Sequence, residues 1–177
     1  MLELFKPDIY QKSILDINYK ALKEKGIKCI VFDLDNTLVE SHKSTLKKEV
    51  IKLITNLKKD YKVVILSNSL PYRVKKLANE LDVDYYPFSL KPTQRNYKKL
   101  KRKVNIDSNQ IIFIGDQMMT DILGARRAKA HAALVKPMGN KEFIITRLNR
   151  LIEKSIYKKL KMKKGEYYEW KDALAVE

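Results

Sequence analysis

Two aspartates that follow an apolar run are the residues of this sequence best suited to chemistry. The run 28–32 leads into Asp33 and Asp35, which stand two positions apart. Because side chains alternate along extended backbone, both carboxylates can point the same way, with Cα atoms about 6.6 Å apart. Two like charges at that distance are costly unless a cation or a shared proton relieves them. The pair is therefore a candidate metal or acid–base site, although two aspartates that only open a loop would show the same pattern.

Polar residues suited to phosphate chemistry follow the other apolar runs in the same way. They are Ser67 and Asn68 after the run 62–66, Lys91 at the head of a helical pattern, and Gly115, Asp116, Thr120 and Asp121 after the run 110–114. If these runs are parallel strands, their carboxyl ends meet at one edge of the sheet. The polar side chains would then gather in one crevice.

This set of residues suits the transfer of a phosphoryl group. Carboxylates with no His or Cys nearby are typical ligands of Mg²⁺, which binds one or two of them and keeps several waters. Lys91 and Ser67 could contact phosphate oxygens. One carboxylate could attack phosphorus to form an aspartyl-phosphate, and a second could protonate the leaving oxygen and then activate water.

The elements that would position these groups follow from the spacing of apolar residues. Helical patterns alternate with β-rich runs, which we place as strands at 28–32, 62–66, 83–86, 110–114 and 131–135 and helices at about 44–59, 71–81, 91–103 and 119–129. Consecutive apolar residues indicate strands buried on both faces of a parallel sheet. We therefore predict an α/β fold with a Rossmann-like, doubly wound sheet of five parallel strands.

The chain ends in a basic helical segment. Residues 141–164 carry nine Lys or Arg and two Glu, with apolar residues on roughly one face. We predict a domain at 1–139, and at 140–177 a basic amphipathic helix and tail that are packed on it or appended to it. Such a helix can lie on anionic lipid, but a terminal helix that packs on its own domain and exposes a basic face has the same pattern.

The net charge and the composition restrict the classes of binding partner and the cellular compartment that are expected. The formal net charge of +16 indicates attraction to polyanions such as nucleic acid, an anionic membrane or phosphorylated substrates, unless the surface is only generically basic. The lone Cys29 excludes a disulfide framework and suits a reducing compartment. No apolar stretch approaches the ~18 residues that cross a bilayer. We expect a cytoplasmic protein with peripheral contact to the inner face of a membrane.

The polar groups resemble, in order and spacing, the four motifs of the haloacid dehalogenase (HAD) superfamily. The resemblance spans 28–121 and rests on Asp33-Leu34-Asp35-Asn36-Thr37, Ser67, Lys91 and Gly115-Asp116 with Asp121. It implies a phosphatase with a Rossmann-like sheet, Mg²⁺ and an aspartyl-phosphate intermediate.

The same resemblance implies a role for each residue. Asp33 is the nucleophile, and Asp35 is the general acid and base. Mg²⁺ is held by Asp33, the backbone carbonyl of Asp35, and Asp116. The remaining members bind phosphate (Ser67, Asn68 and Lys91) or support the site (Thr37, Gly115 and Asp121).

The spacing of the motifs leaves no room for the cap domain that many HAD enzymes insert over the site. Only 31 residues separate Asp35 from Ser67, and 23 separate Ser67 from Lys91. A separate domain needs at least about 50 residues. We expect a capless enzyme with an open site.

A closer resemblance, to the YqeG-type subgroup, concerns the substrate. It rests on 6–10, 26–28, 33–38, 91–92 and 115–121, while Ser69 departs from the subgroup's usual Ser-Asn-Asn. The subgroup's mitochondrial and plastid relatives dephosphorylate phosphatidylglycerophosphate. That lipid is the expected substrate, with nucleic-acid ends, nucleotides or small phosphomonoesters as the alternative. The complete set of carboxylates argues against a catalytically idle nucleic-acid-binding module.

Overall fold

A six-stranded parallel sheet forms the centre of the computed structural model, which describes residues 2–41, 43–139, 144–163 and 165–170. The strands are β1 (Ile9–Gln11), β2 (Cys29–Phe32), β3 (Lys62–Leu66), β4 (Asp84–Tyr86), β5 (Ile111–Gly115) and β6 (His131–Val135). Their order across the sheet is β1-β6-β5-β2-β3-β4, and every neighbouring pair is parallel. The predicted fold class is confirmed, but the predicted number of strands, five, is one too small.

The additional strand is β1, at one edge of the sheet. It has three residues and pairs with β6, so that Ile9 lies opposite Ala133. Its other side is covered by the C-terminal segment, because the amide of Tyr10 donates to the carbonyl of Tyr168 (2.9 Å) and the amide of Tyr168 donates to that of Tyr10 (2.8 Å). A strand this short has too few residues to show a periodicity of its own.

Helices lie on both sides of the sheet. They are α1 (Tyr19–Glu24), α2 (Lys48–Leu57), α3 (Pro71–Leu81), α4 (Arg95–Val104), α5 (Leu123–Arg127) and α6 (Ile144–Lys159). The predicted helix at 119–129 is a π-helical turn, Met118–Ile122, that runs into α5. The helix predicted from Lys91 begins at Arg95, so Lys91 lies in the loop that follows β4.

Strand β2 lies at the middle of the core and is buried on both faces. Ile30 and Phe32 pack in one apolar cluster, and Cys29 and Val31 pack in the cluster on the opposite face. Burial raises the pKa of the Cys29 thiol to about 12, so this cysteine is a packing residue. Phe32 lies opposite Ile65 of β3 and Ile114 of β5. The three strands therefore have their carboxyl ends at the same level of the sheet.

The basic helix at the end of the chain packs on the domain. Ile156 of α6 is buried in the cluster that contains Cys29, and the Glu153 carboxylate accepts hydrogen bonds from the amides of Met118 (2.6 Å) and Met119 (3.4 Å). Lys154, Lys158 and Lys159 are exposed. The predicted boundary between 139 and 140, and the residues Lys141 and Lys164 of the basic segment, lie outside the described residues, and the division into 1–139 and 140–177 stays a prediction.

None of the helices within the described ranges has the length and apolar character needed to cross a bilayer.

The carboxylate of Asp8 fixes the segment before β1 to the rest of the domain. It accepts hydrogen bonds from Arg126 of α5 (2.7 Å) and from the amide of Ala132 in β6 (2.9 Å), and His131 Nδ1 lies 3.4 Å from it. Burial alone would raise the pKa of Asp8, but its contacts with His131, the Ala132 amide and Arg126 hold the pKa below 3.8. The ionised form of Asp8 therefore stabilises the fold.

We expect the substitution Asp8→Asn to lower the free energy of unfolding at pH 7 by about 1.5–3 kcal/mol, the usual range for a hydrogen bond to a charged group. Because the pKa is lowered on folding, this contribution is complete above the unfolded value of 3.8 and is lost as the pH falls through the folded one. Urea denaturation between pH 3 and pH 7 measures it. Asp82→Asn, which removes an exposed ion pair with Lys58, is the control and should change little. An equal loss in both variants would contradict the assignment.

Candidate active site

The sheet brings the predicted site residues to one edge. Asp33 follows β2, Ser67 follows β3 and Asp116 follows β5, and β2 lies between the other two strands. Lys91 comes from the loop after β4, and Asp121 from the π-helical turn after β5. The crevice at the carboxyl ends of the strands therefore contains residues from four of the six strand ends.

Lys91 is the buried centre of this crevice. Its Nζ atom lies 2.5 Å from Oδ1 of Asp33 and 2.6 Å from Oδ1 of Asp121, and the side chain is 4% exposed. Burial alone would lower the pKa of Lys91, but the carboxylates of Asp121 and Asp33 outweigh that effect and raise it above the ordinary value. The folded protein therefore favours the charged ammonium form of Lys91.

Asn68 holds the backbone of Lys91. Its Oδ1 atom accepts a hydrogen bond from the Lys91 amide (2.8 Å), and its Nδ2 atom donates to the Lys91 carbonyl (3.3 Å). Ser67, just before it, is buried, and its hydroxyl oxygen accepts from the amide of Ser69 (3.1 Å). The structure thus gives Asn68 a positioning contact, and the phosphate-binding roles of Ser67 and Asn68 stay predictions.

Two carboxylates contact the ammonium group of Lys91, and a third, that of Asp116, lies in the same cluster. Asp33, Asp116 and Asp121 are buried, and each offers an oxygen within 4.8 Å of the others. With one ammonium against three carboxylates, the ionised cluster has an excess of two negative charges. The pKa of Asp33 is raised to about 7, mainly by burial. The negative charges of Asp121 and Asp35 also raise it, and the positive charge of Lys91 lowers it. A divalent cation that prefers oxygen ligands fits both the donors and the charge.

Gly115 makes room for one of these carboxylates. A Cβ atom at this position would lie 2.3 Å from Cγ of Asp121, so any other residue would displace that side chain. The second oxygen of Asp121 accepts a hydrogen bond from the amide of Gln117 (3.1 Å). The glycine and this amide together hold Asp121 against Lys91. The supporting roles of Gly115 and Asp121 stay predictions.

Asp35 lies outside the acidic cluster and has its own partners. Its Oδ1 atom accepts a hydrogen bond from Nη2 of Arg73 (2.7 Å), and its Oδ2 atom accepts one from the hydroxyl of Ser69. Arg73 also donates to the backbone carbonyl of Lys43, and so connects α3 to the loop that follows the aspartates. The two aspartates of the motif therefore have different environments.

Sequence reasoning did not assign Arg73 or Ser69 to the site. The available signal was their position, since helix α3 starts at Pro71, only five residues after the end of β3. Side chains in the first turn of such a helix lie at the same edge of the sheet as the strand end.

The turn after Asp35 contains two further predicted motif residues. Asn36 has a φ of 59° and its side chain accepts a hydrogen bond from the amide of Ser41 (3.2 Å). The hydroxyl of Thr37 is buried and has no hydrogen-bond partner in the described part of the chain. Its supporting role stays a prediction.

The described residues around the crevice form no separate domain over it. Between Asp35 and Ser67 they form a loop, α2 and β3, and between Ser67 and Lys91 they form α3, β4 and the loop that contains Lys91. The site is therefore built from the strand ends and their loops.

Comparison with known proteins relates this geometry to a family. Residues 2–137 match the family model described as mitochondrial PGP phosphatase. The chain is 35% identical over 162 residues to the probable phosphatase YqeG of Bacillus subtilis, which covers 91% of this chain and 94% of that protein. It is 25% identical to phosphatidylglycerophosphate phosphatase 1 of Arabidopsis thaliana over 82% of this chain and 45% of that protein.

The fold is shared with solved HAD-like hydrolases. The magnesium-bound HAD-hydrolase YfnB of Bacillus subtilis superimposes with a TM-score of 0.56 at 12% identity, over 68% of this chain and 92% of that one. At this identity the likeness shows the fold alone. Together with the family match and the YqeG relative, it establishes that the chain is a HAD-type phosphatase of the mitochondrial PGP phosphatase family.

Proposed function

We propose that this phosphatase is a Mg²⁺-dependent phosphomonoester hydrolase that acts through an aspartyl-phosphate on Asp33, with phosphatidylglycerophosphate at a membrane surface as its substrate. The observation that carries the chemistry is the ammonium group of Lys91, held between Asp33 and Asp121. It supplies a buried positive charge beside the attacking carboxylate. We further propose that the protein works in the cytoplasm, as a peripheral protein at the inner face of the membrane.

Asp33 and Asp116, with the backbone carbonyl of Asp35, would hold Mg²⁺, which supplies positive charge for the phosphoryl oxygens. Ser67 and Lys91 bind the remaining phosphate oxygens, and the fixed ammonium group needs no reorganisation as charge develops. The site residues thereby neutralise the substrate's charge, so that a carboxylate can approach phosphorus.

Two displacements at phosphorus complete the reaction. An oxygen of Asp33 attacks phosphorus, the bond from phosphorus to the substrate alcohol breaks, and Asp35 gives its proton to the departing oxygen. Asp35 then takes a proton from water, whose oxygen attacks phosphorus and breaks the bond to Asp33. Inorganic phosphate leaves, and both aspartates return to their starting states.

The lipid substrate is supported by the family match and by the open, basic surroundings of the site. The same charge would also suit the phosphorylated ends of nucleic acids. Assays with Mg²⁺ against phosphatidylglycerophosphate, 3′- and 5′-phosphorylated oligonucleotides and small phosphomonoesters distinguish these substrates. A clear preference for oligonucleotides would overturn the lipid substrate and leave the chemistry intact.

We expect Asp33→Asn to lower kcat at least about a thousandfold, because the amide cannot attack phosphorus. Asp35→Asn should instead accumulate a slowly hydrolysed phosphoenzyme, since the second displacement loses its base. Phosphate release and acid-quench trapping of labelled enzyme measure the two effects. Asp107→Asn, an exposed aspartate that precedes β5 and so lies at the amino ends of the strands, is the matched control. Wild-type activity in the Asp33→Asn variant would contradict the proposed mechanism.

We expect Asp116→Ala to raise the Mg²⁺ concentration for half-maximal activity at least about tenfold, because the acidic cluster loses one of its three carboxylates. Calorimetric titration with Mg²⁺ measures the same loss without turnover. Excess chelator should stop the wild-type enzyme. Activity that persists in chelator would contradict the metal requirement.

The contact between Arg73 and Asp35 predicts that Arg73 positions the general acid. We expect Arg73→Gln to lower kcat on a soluble phosphomonoester about 10–100-fold with a smaller change in KM, because the variant loses the contact with Asp35. Arg73→Lys should recover part of the loss, since an ammonium group can still pair with Asp35. The control is Arg102→Gln, an exposed arginine in the last turn of α4. A purely structural role predicts a lower Tm without recovery of kcat in the lysine variant.

A further inference from the structure

Large apolar side chains are exposed on the two loops that border the active site. Leu70 and Tyr72, at the start of α3, are 53% and 73% exposed. Phe88 and Leu90, between β4 and Lys91, are 56% and 53% exposed. We call these four residues the apolar rim. Single exposed apolar residues are ordinary, but four on adjoining loops at a site mark an interaction surface.

Backbone hydrogen bonds join the two loops of the apolar rim. The amide of Phe88 donates to the carbonyl of Ser69 (3.1 Å), and the amide of Ser89 donates to the carbonyl of Ser67 (2.9 Å). Phe88 is thereby placed beside the residue that precedes Leu70. The apolar rim belongs to the same structural unit as the phosphate-binding loops.

Two residues of the apolar rim have an unfavourable backbone conformation for their type. Phe88 has a φ of 48° and Leu90 a φ of 52°, in the left-handed region where bulky side chains are rare and Asn or Gly is preferred. Their neighbours Ser89 and Lys91 are buried, so the loop directs polar residues inward and apolar ones into solvent. Polar residues at 88 and 90 would suit both the backbone and water. The presence of apolar residues at 88 and 90 therefore indicates that they contact a partner outside the folded chain.

The two chain segments that carry the apolar rim contain basic residues and no acidic ones. Residues 61–79 and 85–106, which contain all four of its members, include no Asp or Glu. Exposed basic residues in the first two turns of the helices that start there include Lys75, Lys76, Arg95, Lys98 and Lys99. An apolar surface with a basic border is complementary to a bilayer, whose acyl chains lie beneath anionic head groups.

We propose that the apolar rim inserts into the interfacial layer of an anionic membrane and so presents the open site to a phosphate borne by a lipid. This inference rests on the proposed lipid substrate. An open crevice cannot enclose its substrate, so the membrane itself completes the binding surface. Leu70 and Leu90 favour acyl chains over nucleic-acid bases, because aliphatic side chains offer no ring on which a base can stack.

The variant that tests this surface is the double substitution Phe88→Asn and Leu90→Asn. Asparagine tolerates a positive φ, so we expect the variant to fold with an unchanged or higher Tm. The control is Leu15→Asn, a leucine of similar exposure (46%) that follows β1, the outermost strand on the side of the sheet away from β4. Thermal unfolding checks that all three proteins are folded.

Co-sedimentation with vesicles measures docking. We expect the wild type to bind vesicles of equal parts phosphatidylglycerol and phosphatidylcholine but not phosphatidylcholine alone. The partition coefficient of the double variant between vesicles and buffer should be at least about tenfold lower, because the variant lacks two apolar side chains that would move from water into the membrane. Its hydrolysis of phosphatidylglycerophosphate in those vesicles should fall in parallel, while its turnover of p-nitrophenyl phosphate should change less than about twofold. The Leu15→Asn control should behave as the wild type.

Each failure has a distinct meaning. Wild-type vesicle binding in the double variant, or an equal loss in Leu15→Asn, overturns the apolar rim as the docking surface and leaves the phosphatase chemistry intact. Salt-sensitive binding of single-stranded oligonucleotides without vesicle binding overturns the membrane as the partner. Normal docking without hydrolysis of phosphatidylglycerophosphate by the wild type supports the docking surface and overturns the proposed substrate.

Discussion

The active site depends on one buried positive charge, the ammonium group of Lys91. An isolated charge at this depth would be strongly disfavoured, and so would the carboxylates of Asp33 and Asp121 without it. Each charge is tolerated because the others are present. The surrounding contacts serve this arrangement: Asn68 fixes the backbone of Lys91, and the missing side chain of Gly115 admits Asp121.

The two aspartates of the first motif have different proposed roles, and they lie in different environments. Asp33 belongs to a buried cluster with two other carboxylates and Lys91, which is compatible with its proposed role as a cation ligand and nucleophile. Asp35, two residues later, is turned toward Arg73 and Ser69. Two carboxylates close in sequence can take different roles when their environments differ.

Sequence patterns could predict the parts of this molecule that depend on local order. The buried strands were visible as consecutive apolar residues, and the carboxylates stood at their ends, so the edge that gathers Asp33, Ser67 and Asp116 followed from the parallel sheet. The sixth strand could not be found, because β1 is defined by partners more than 120 residues away. For the same reason the contact of Arg73 with Asp35 was missed, since periodicity reports burial but does not identify partners in space.

The edges of the sheet have a consequence for how copies of this protein meet in solution. An uncovered edge strand offers unpaired amides and carbonyls to which a strand of another molecule can add. On one side, Tyr168 already occupies those groups of β1. On the other, β4 has only three residues, and the ion pairs of Asp84 with Lys62 and Lys103 place charge beside it. The C-terminal segment thus occupies the backbone groups through which a strand of another molecule could pair with β1.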